Sequence, residues 1–240
     1  MPRLAIVVAL KEEFAAVQAA FPDASKQGVL LVRGGMGWNS ATRAVQRLLS
    51  AADAPNWICS SGFCGGLADT LAVGDILLAD SIYGPAQNGE LLPGAPPDLP
   101  ALRSALDRAA VKTHVGALVT VKGAVFSCDE KRLLGRTRNA VGVDMESYAM
   151  AVAAATGANR AKVFALRSVS DSADDELPPE IGGFLTEDGK VRGTAILKFA
   201  VGGPRNMKTL WSLKTRTDKA GASLTAAWKA VWPAMSEAIG

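Results

Sequence analysis

The residues best placed to do chemistry are acids that stand where apolar runs end. Asp144 and Glu146 follow the run Ala140–Val143 and lead into an Ala-rich stretch stopped by Gly157. Ser170 and Asp171 follow a second run, Val163–Val169, with Asp174 three residues on. Such runs are predicted strands, and in an open α/β sheet ligands collect in the crevice beyond the strands' carboxyl ends. Two strand-end acid clusters facing one pocket can divide acid and base work between carboxylates in different environments. Acids after strands also serve as solvated turn residues or helix caps, so this pattern alone leaves both readings open.

The rest of the chain must position these acids. With 240 residues, 49% apolar and 20% charged, it has the balance of a globular α/β domain able to bury a sizeable core. A net charge of +3 is too small to argue for nucleic acid. Cys59, Cys64 and Cys128 have no CxxC spacing and His114 is the only histidine, so reduced thiols and no metal are expected. The first apolar run, Leu4–Leu10, is too short to span a bilayer and is followed by charge, which predicts a buried strand in a cytoplasmic protein.

A helix over Glu12–Ala20 follows, then a strand over Val29–Val32 that ends in Arg33 and the glycine turn Gly34–Gly37. Asn39 or Ser40 would cap the next helix, which reaches Ala51. A strand at Trp57–Ser60 runs into Ser61–Leu67, where Gly62, Gly65 and Gly66 let backbone amides approach a ligand. Leu71–Ala79 supplies another strand, residues 84–100 a Gly/Pro-rich loop at the pocket rim, and Leu99–Ala110 an amphipathic helix. Val115–Val121 is the next strand and Asp129–Leu134 a short helix. This alternation predicts a three-layer α/β/α sandwich around a mostly parallel, mixed sheet, as a single domain. The pattern changes after Asp175, and the tail 176–240 carries helices at Gly193–Val201 and Ala220–Ile239.

Val143-Asp-Met-Glu-Ser147, followed by Arg167-Ser-Val-Ser-Asp-Ser-Ala-Asp174, resembles the paired signature of the nucleoside phosphorylase and nucleosidase superfamily. The likeness runs in order and spacing from Leu4 to about Asp174. In the tail, Leu177-Pro-Pro, Asp188-Gly, Ala195-Ile-Leu and Gly203-Pro are similar to the hopanoid-associated phosphorylase branch. The resemblance implies cleavage of a purine nucleoside, with Asp171 as general acid toward the base and Glu146 as acceptor for the ribose hydroxyls. It puts Met145 on the sugar face, Phe126 against the purine, and Ser170 and Gly65 in contact with substrate. Phe63 stands where many members carry a small polar residue, so any hydroxyl contact there is lost. Glu13 aligns with the acid that activates water, and Glu12 is its neighbouring alternative.

As general acid, Asp171 needs its pKa raised by burial or by an acid such as Asp174. Three carboxylates in these roles suit hydrolysis, whereas phosphorolysis calls for cations and amides around inorganic phosphate as co-substrate. Arg33 with the Gly34–Gly37 turn, and the Gly62–Gly66 amides, are the candidate phosphate cradle, so the nucleophile stays open. No other cofactor is implied. A nucleoside-binding module without turnover is the alternative, disfavoured by the retention of all three acids. A homo-oligomer is implied by resemblance alone. From Lys190 to Lys219 eight basic residues face the single acid Asp218, interleaved with Phe199, Met207, Leu210, Trp211 and Leu213. Such a segment can lie at an anionic membrane surface, or pack on the domain with its cations in water.

Overall fold

The computed structural model describes residues 3–85, 91–157, 159–184 and 193–239. Its organising strand is β1 (Leu4–Val8), buried along its whole length between the parallel strands β2 (Val29–Arg33) and β3 (Trp57–Gly66). Side chains alternate across a strand, and β1 divides its residues between two cores accordingly. Leu4, Ile6 and Val8 pack with α1 (Lys11–Ala20), α3 (Leu99–Arg108) and α7 (Pro204–Ala238). Ala5 and Val7 pack with α2 (Trp38–Leu49) and α5 (Ser147–Thr156). The expected sandwich of helices on both faces of a mixed sheet is therefore the architecture found.

The sheet does more than lie flat. β3 pairs in parallel with β8 (Lys162–Asp171), which pairs antiparallel with β4 (Ile76–Tyr83). β4 continues through the parallel strands β6 (Thr113–Thr120) and β7 (Gly142–Asp144), and β7 returns antiparallel to the far end of β3. Five strands thus close a ring, with β1 and β2 extending from β3, and β5 (Leu91–Pro93) added to β4.

Several expected boundaries shift. Ser61–Gly66, expected to follow a strand ending at Ser60, is the second half of β3, because β7 and β8 pair with it along Ser61–Gly66. α2 starts at Trp38 behind Gly37 with no side-chain cap, one or two residues before the expected Asn39 or Ser40 cap. α4 (Cys128–Arg138) runs four residues past its expected end. The last helix begins at Pro204 instead of Ala220, Pro being well suited to a first helical position, and takes in the basic residues from Arg205 to Lys219, while Lys198 lies in the preceding helix Gly193–Ala200. Asp188, Lys190 and Arg192 of that reading lie outside the described residues, as do residues 86–90 of the expected rim loop. Among the described residues no helix is long and apolar enough to cross a membrane.

The second half of α7 locks the helix layer to the sheet. Ala220, Leu224, Ala227, Trp228, Val231 and Met235 recur at helical spacing and are all buried. Trp228 meets Phe21 edge to face at 5.5 Å, and its indole Nε1 donates to Ser61 Oγ at 2.9 Å. Trp228→Ala is expected to lower the unfolding free energy by about 3–5 kcal/mol, the cost of deleting a large buried side chain. Urea unfolding measures it, and a loss under about 1 kcal/mol would contradict this packing.

Candidate active site

Glu13 stands in the first turn of α1, just beyond the carboxyl end of β1, and is 3% exposed. Its carboxylate accepts the amides of Ala9 and Leu10, both at 2.8 Å, and the Phe63 amide of β3 at 2.7 Å. The close approach of β3 needs Gly62, whose φ of +137° favours glycine and whose absent Cβ would run into the Glu13 carboxyl group. Burial pushes the Glu13 pKa up, against the opposing pull of Arg167 and the three amides. Glu12 is exposed, so the helix register selects Glu13.

Asp144 and Glu146 come from the end of β7 and the N-cap of α5. Because β7 runs against β3, its carboxyl end points back into the ring, and this direction buries the acids. Arg167, in the middle of β8, reaches them with only 1% of its side chain exposed. Its guanidinium forms an ion pair with Asp144, donates to Ser60 Oγ at 2.6 Å and to Ser147 Oγ at 3.0 Å, and lies 3.9 Å from Glu146. Asp144 also accepts from Thr120 Oγ1 at 2.6 Å. Glu146 accepts the Gly37 amide at 2.7 Å. Burial opposes the charge on Arg167, but Asp144, Glu146 and Glu13 outweigh it and raise its pKa. One cation cannot neutralise three acids. Burial above all, with Asp144 and Glu13 adding to it, lifts Glu146 to about 7 in spite of Arg167 and the Gly37 amide.

Asp171 ends β8. The β3–β8 register slips between Cys64 and Gly65 and leaves Asp171 opposite Gly65. A Cβ on Gly65 would sit 3.2 Å from an Asp171 carboxyl oxygen and 3.0 Å from Val143, so glycine gives the acid its room. Ser170 Oγ donates to one Asp171 oxygen at 2.8 Å, and Lys131 of α4 pairs with the other at 2.6 Å. The expected acidic neighbour, Asp174, is turned to another partner: it pairs with Arg132 and is mostly exposed.

One cleft gathers Glu13, Met145, Glu146, Gly65, Ser170 and Asp171, together with Asp144, Met36, Phe63 and Leu177. Two expected contacts are not in it. Phe126 packs toward Gly182 of the 3-10 turn Pro179–Gly183, and its carbonyl accepts the Leu177 amide at 2.9 Å, so Ala124 and Val125 line the cleft in its place. Arg33 is exposed at the end of β2 and lines a separate cleft with Arg43 and Arg47, because edge strand β2 lies one strand beyond β1. The sequence reading gave Arg167 and Lys131 no part. The signal for Arg167 was a lone cation inside an apolar strand pattern. For Lys131 it was a lysine on the same helical face as Leu134 and Gly135.

The raised pKa of Glu146 fixes a sign. An unfolded glutamate titrates near about 4.3, so between there and about 7 the unfolded chain has released a proton that the folded protein still holds. This group's contribution to stability is full below the unfolded pKa, falls as pH rises to about 7, and then levels. Glu146→Gln is expected to remove that part of the slope, at most about 1.4 kcal/mol per pH unit. Unfolding curves at a series of pH values test it, and identical slopes in the two proteins would refute it.

The Phosphorylase superfamily model matches residues 3–199. A 5′-methylthioadenosine/S-adenosylhomocysteine nucleosidase of Shewanella loihica is 26% identical over 179 residues, covering 67% of this chain and 76% of that protein. Among solved structures, the same-named nucleosidase of Helicobacter pylori is similar with a TM-score of 0.65 and 15% identity, covering 93% of this chain and 96% of that one. The native futalosine hydrolase of Helicobacter pylori is similar with a TM-score of 0.65 and 16% identity, again covering 93% and 96%. These structures share the fold, and the family match spans most of the chain, which therefore belongs to the phosphorylase superfamily.

Proposed function

We propose that this protein hydrolyses the N-glycosidic bond of an adenine nucleoside, 5′-substituted adenosines included. The observation that carries this reading is the convergence of Glu13, Glu146 and Asp171 on one cleft. The nucleosidase relative supports the substrate class. Breaking the bond puts positive charge on the ribose and negative charge on the departing base. The surplus of buried carboxylates around Arg167 suits the first, and Glu146 can accept the ribose hydroxyls while doing so. Asp171 answers the second by giving a proton to the base. Glu13, held by three amides, orients a water for attack on the sugar carbon.

Water is favoured over phosphate on chemical grounds. A phosphate nucleophile needs uncommitted cations and amides. Arg33 lines a different cleft, the Phe63 amide is engaged by Glu13, and Arg167 is paired with Asp144. Base release from adenosine and methylthioadenosine, with and without phosphate, is the test. Release without phosphate is expected, and Asp171→Asn and Glu13→Gln should each lower it by roughly two to four decades with the fold retained. Strict phosphate dependence with a sugar 1-phosphate as product would replace hydrolysis by phosphorolysis.

A finer reading of the substrate is an adenosyl head joined to a large hydrocarbon of the hopanoid type, met at a membrane surface. Val201, Met207 and Trp211 favour it, being 76%, 55% and 75% exposed on and beside the first half of α7, among Arg205, Lys208 and Lys214. A Trp flanked by cations suits the boundary of an anionic bilayer. Co-sedimentation with anionic vesicles should weaken with salt and drop when Lys208 and Lys214 become Gln. Absence of binding at low salt would end this version, and leave hydrolysis of small nucleosides untouched.

A further inference from the structure

Lys131 is fully buried on α4. A buried ammonium is tolerated only where its three N–H groups find partners. It has three: Asp171 at 2.6 Å, the Ser172 carbonyl at 3.0 Å and the Asp175 carbonyl at 2.8 Å. The turn that offers these carbonyls is itself braced. Asp175 accepts the Ser172 amide at 2.8 Å and the Ser172 hydroxyl at 2.9 Å, and pairs with Arg216 of α7 at 2.8 Å. Lys131 is therefore fixed from behind, and it does not line the cleft that Asp171 faces.

Lys131 thus touches the carboxyl group that faces the cleft without entering the space a ligand would take. We infer that Lys131 is the positioning residue of the acid, aiming the Asp171 carboxyl group and neutralising the carboxylate left when it gives up its proton. This rests on reading Asp171 as the proton donor to the base. As the bond from sugar to base breaks, its electron pair goes to the base, and a ring nitrogen takes the proton from Asp171. The ammonium keeps its own proton and meets the new negative charge. Asp171 regains a proton from solvent once the base has left. Ser170, donating to the other oxygen at 2.8 Å, fixes the plane of the group.

A leaving group that needs no proton separates positioning of the acid from general support of the fold. Wild type, Lys131→Met, Lys131→Gln and Asp171→Asn are compared on a purine nucleoside and on p-nitrophenyl riboside, whose phenolate departs unprotonated. Lys131→Met is expected to lower kcat on the nucleoside by roughly 10- to 100-fold, less than the roughly two to four decades expected for losing the acid itself, with KM changed by less than about threefold. On the nitrophenyl riboside both rates should stay within about threefold of wild type, the pattern also expected of Asp171→Asn. Lys131→Gln, which keeps a donor without the charge, serves if the Met variant melts early, and the same split is expected. Equal losses on both substrates, or no loss on the nucleoside, would overturn the inference. If Asp171→Asn itself spares the nucleoside, the reading of Asp171 has failed instead.

Discussion

Arg167 carries its charge with almost none of its side chain exposed, and the arrangement of the site follows from how that charge is met. A lone guanidinium in this interior would be prohibitively unfavourable, so Asp144 pairs with it directly while Ser60 and Ser147 take further donors. Glu146 and Glu13 then sit in a field already partly balanced. They can be buried because the arginine is there, yet they remain in excess of it. That imbalance, held by rigid strands, suits a cationic ligand or transition state, and it adds to the burial that lifts the Glu146 pKa to about 7.

The ring of strands makes this electrostatics possible. β3 contributes to nearly every contact: Ser60 to Arg167, the Phe63 amide to Glu13, Gly62 and Gly65 as the gaps for Glu13 and Asp171, and Ser61 to Trp228. β7 enters the ring against β3 and turns Asp144 inward, and β8 enters along β3 and delivers Arg167 and Asp171 from the other side. Behind them α4 and α7 hold the turn after Asp171 through Lys131 and Arg216. The tail is thus part of the site's support, although its first half exposes a tryptophan.

Much of this was legible in the chain. Apolar runs gave β1, β6 and β8, the last broken only by Arg167 and Ser168, because a strand buried on both faces shows no polar alternation. The Asp-Met-Glu and Ser-Asp motifs pointed, through the resemblance they carry, to acids that share the cleft, and the antiparallel entry of β7 brings the first pair there. Ser61–Gly66 was left outside the strand that ends at Ser60, because glycines weaken a strand pattern. Here they mark places where a strand must pass close to carboxyl groups on its neighbours, a constraint that resides in those neighbours. Phe126 followed a family position and Arg33 the anion-binding chemistry of a cation beside a glycine turn, but loop direction and edge placement carried them out of the cleft.

The sequence by itself determined the layer architecture and, ahead of the tail, the order of most strands and helices, because these depend on local periodicity; its motifs pointed to Glu146 and Asp171 through the family resemblance and left Glu12 and Glu13 as alternatives. Only the tertiary structure decided which charges those acids meet. Arg167 and Lys131 lie 23 and 40 residues from their carboxylate partners Asp144 and Asp171. Neither pairing follows from local pattern, because a lysine or arginine in a strand or helix looks the same whether it faces water or a buried acid. The closing of the ring and the packing of α4 make that choice, and with it they set the protonation and aim of the groups in the cleft.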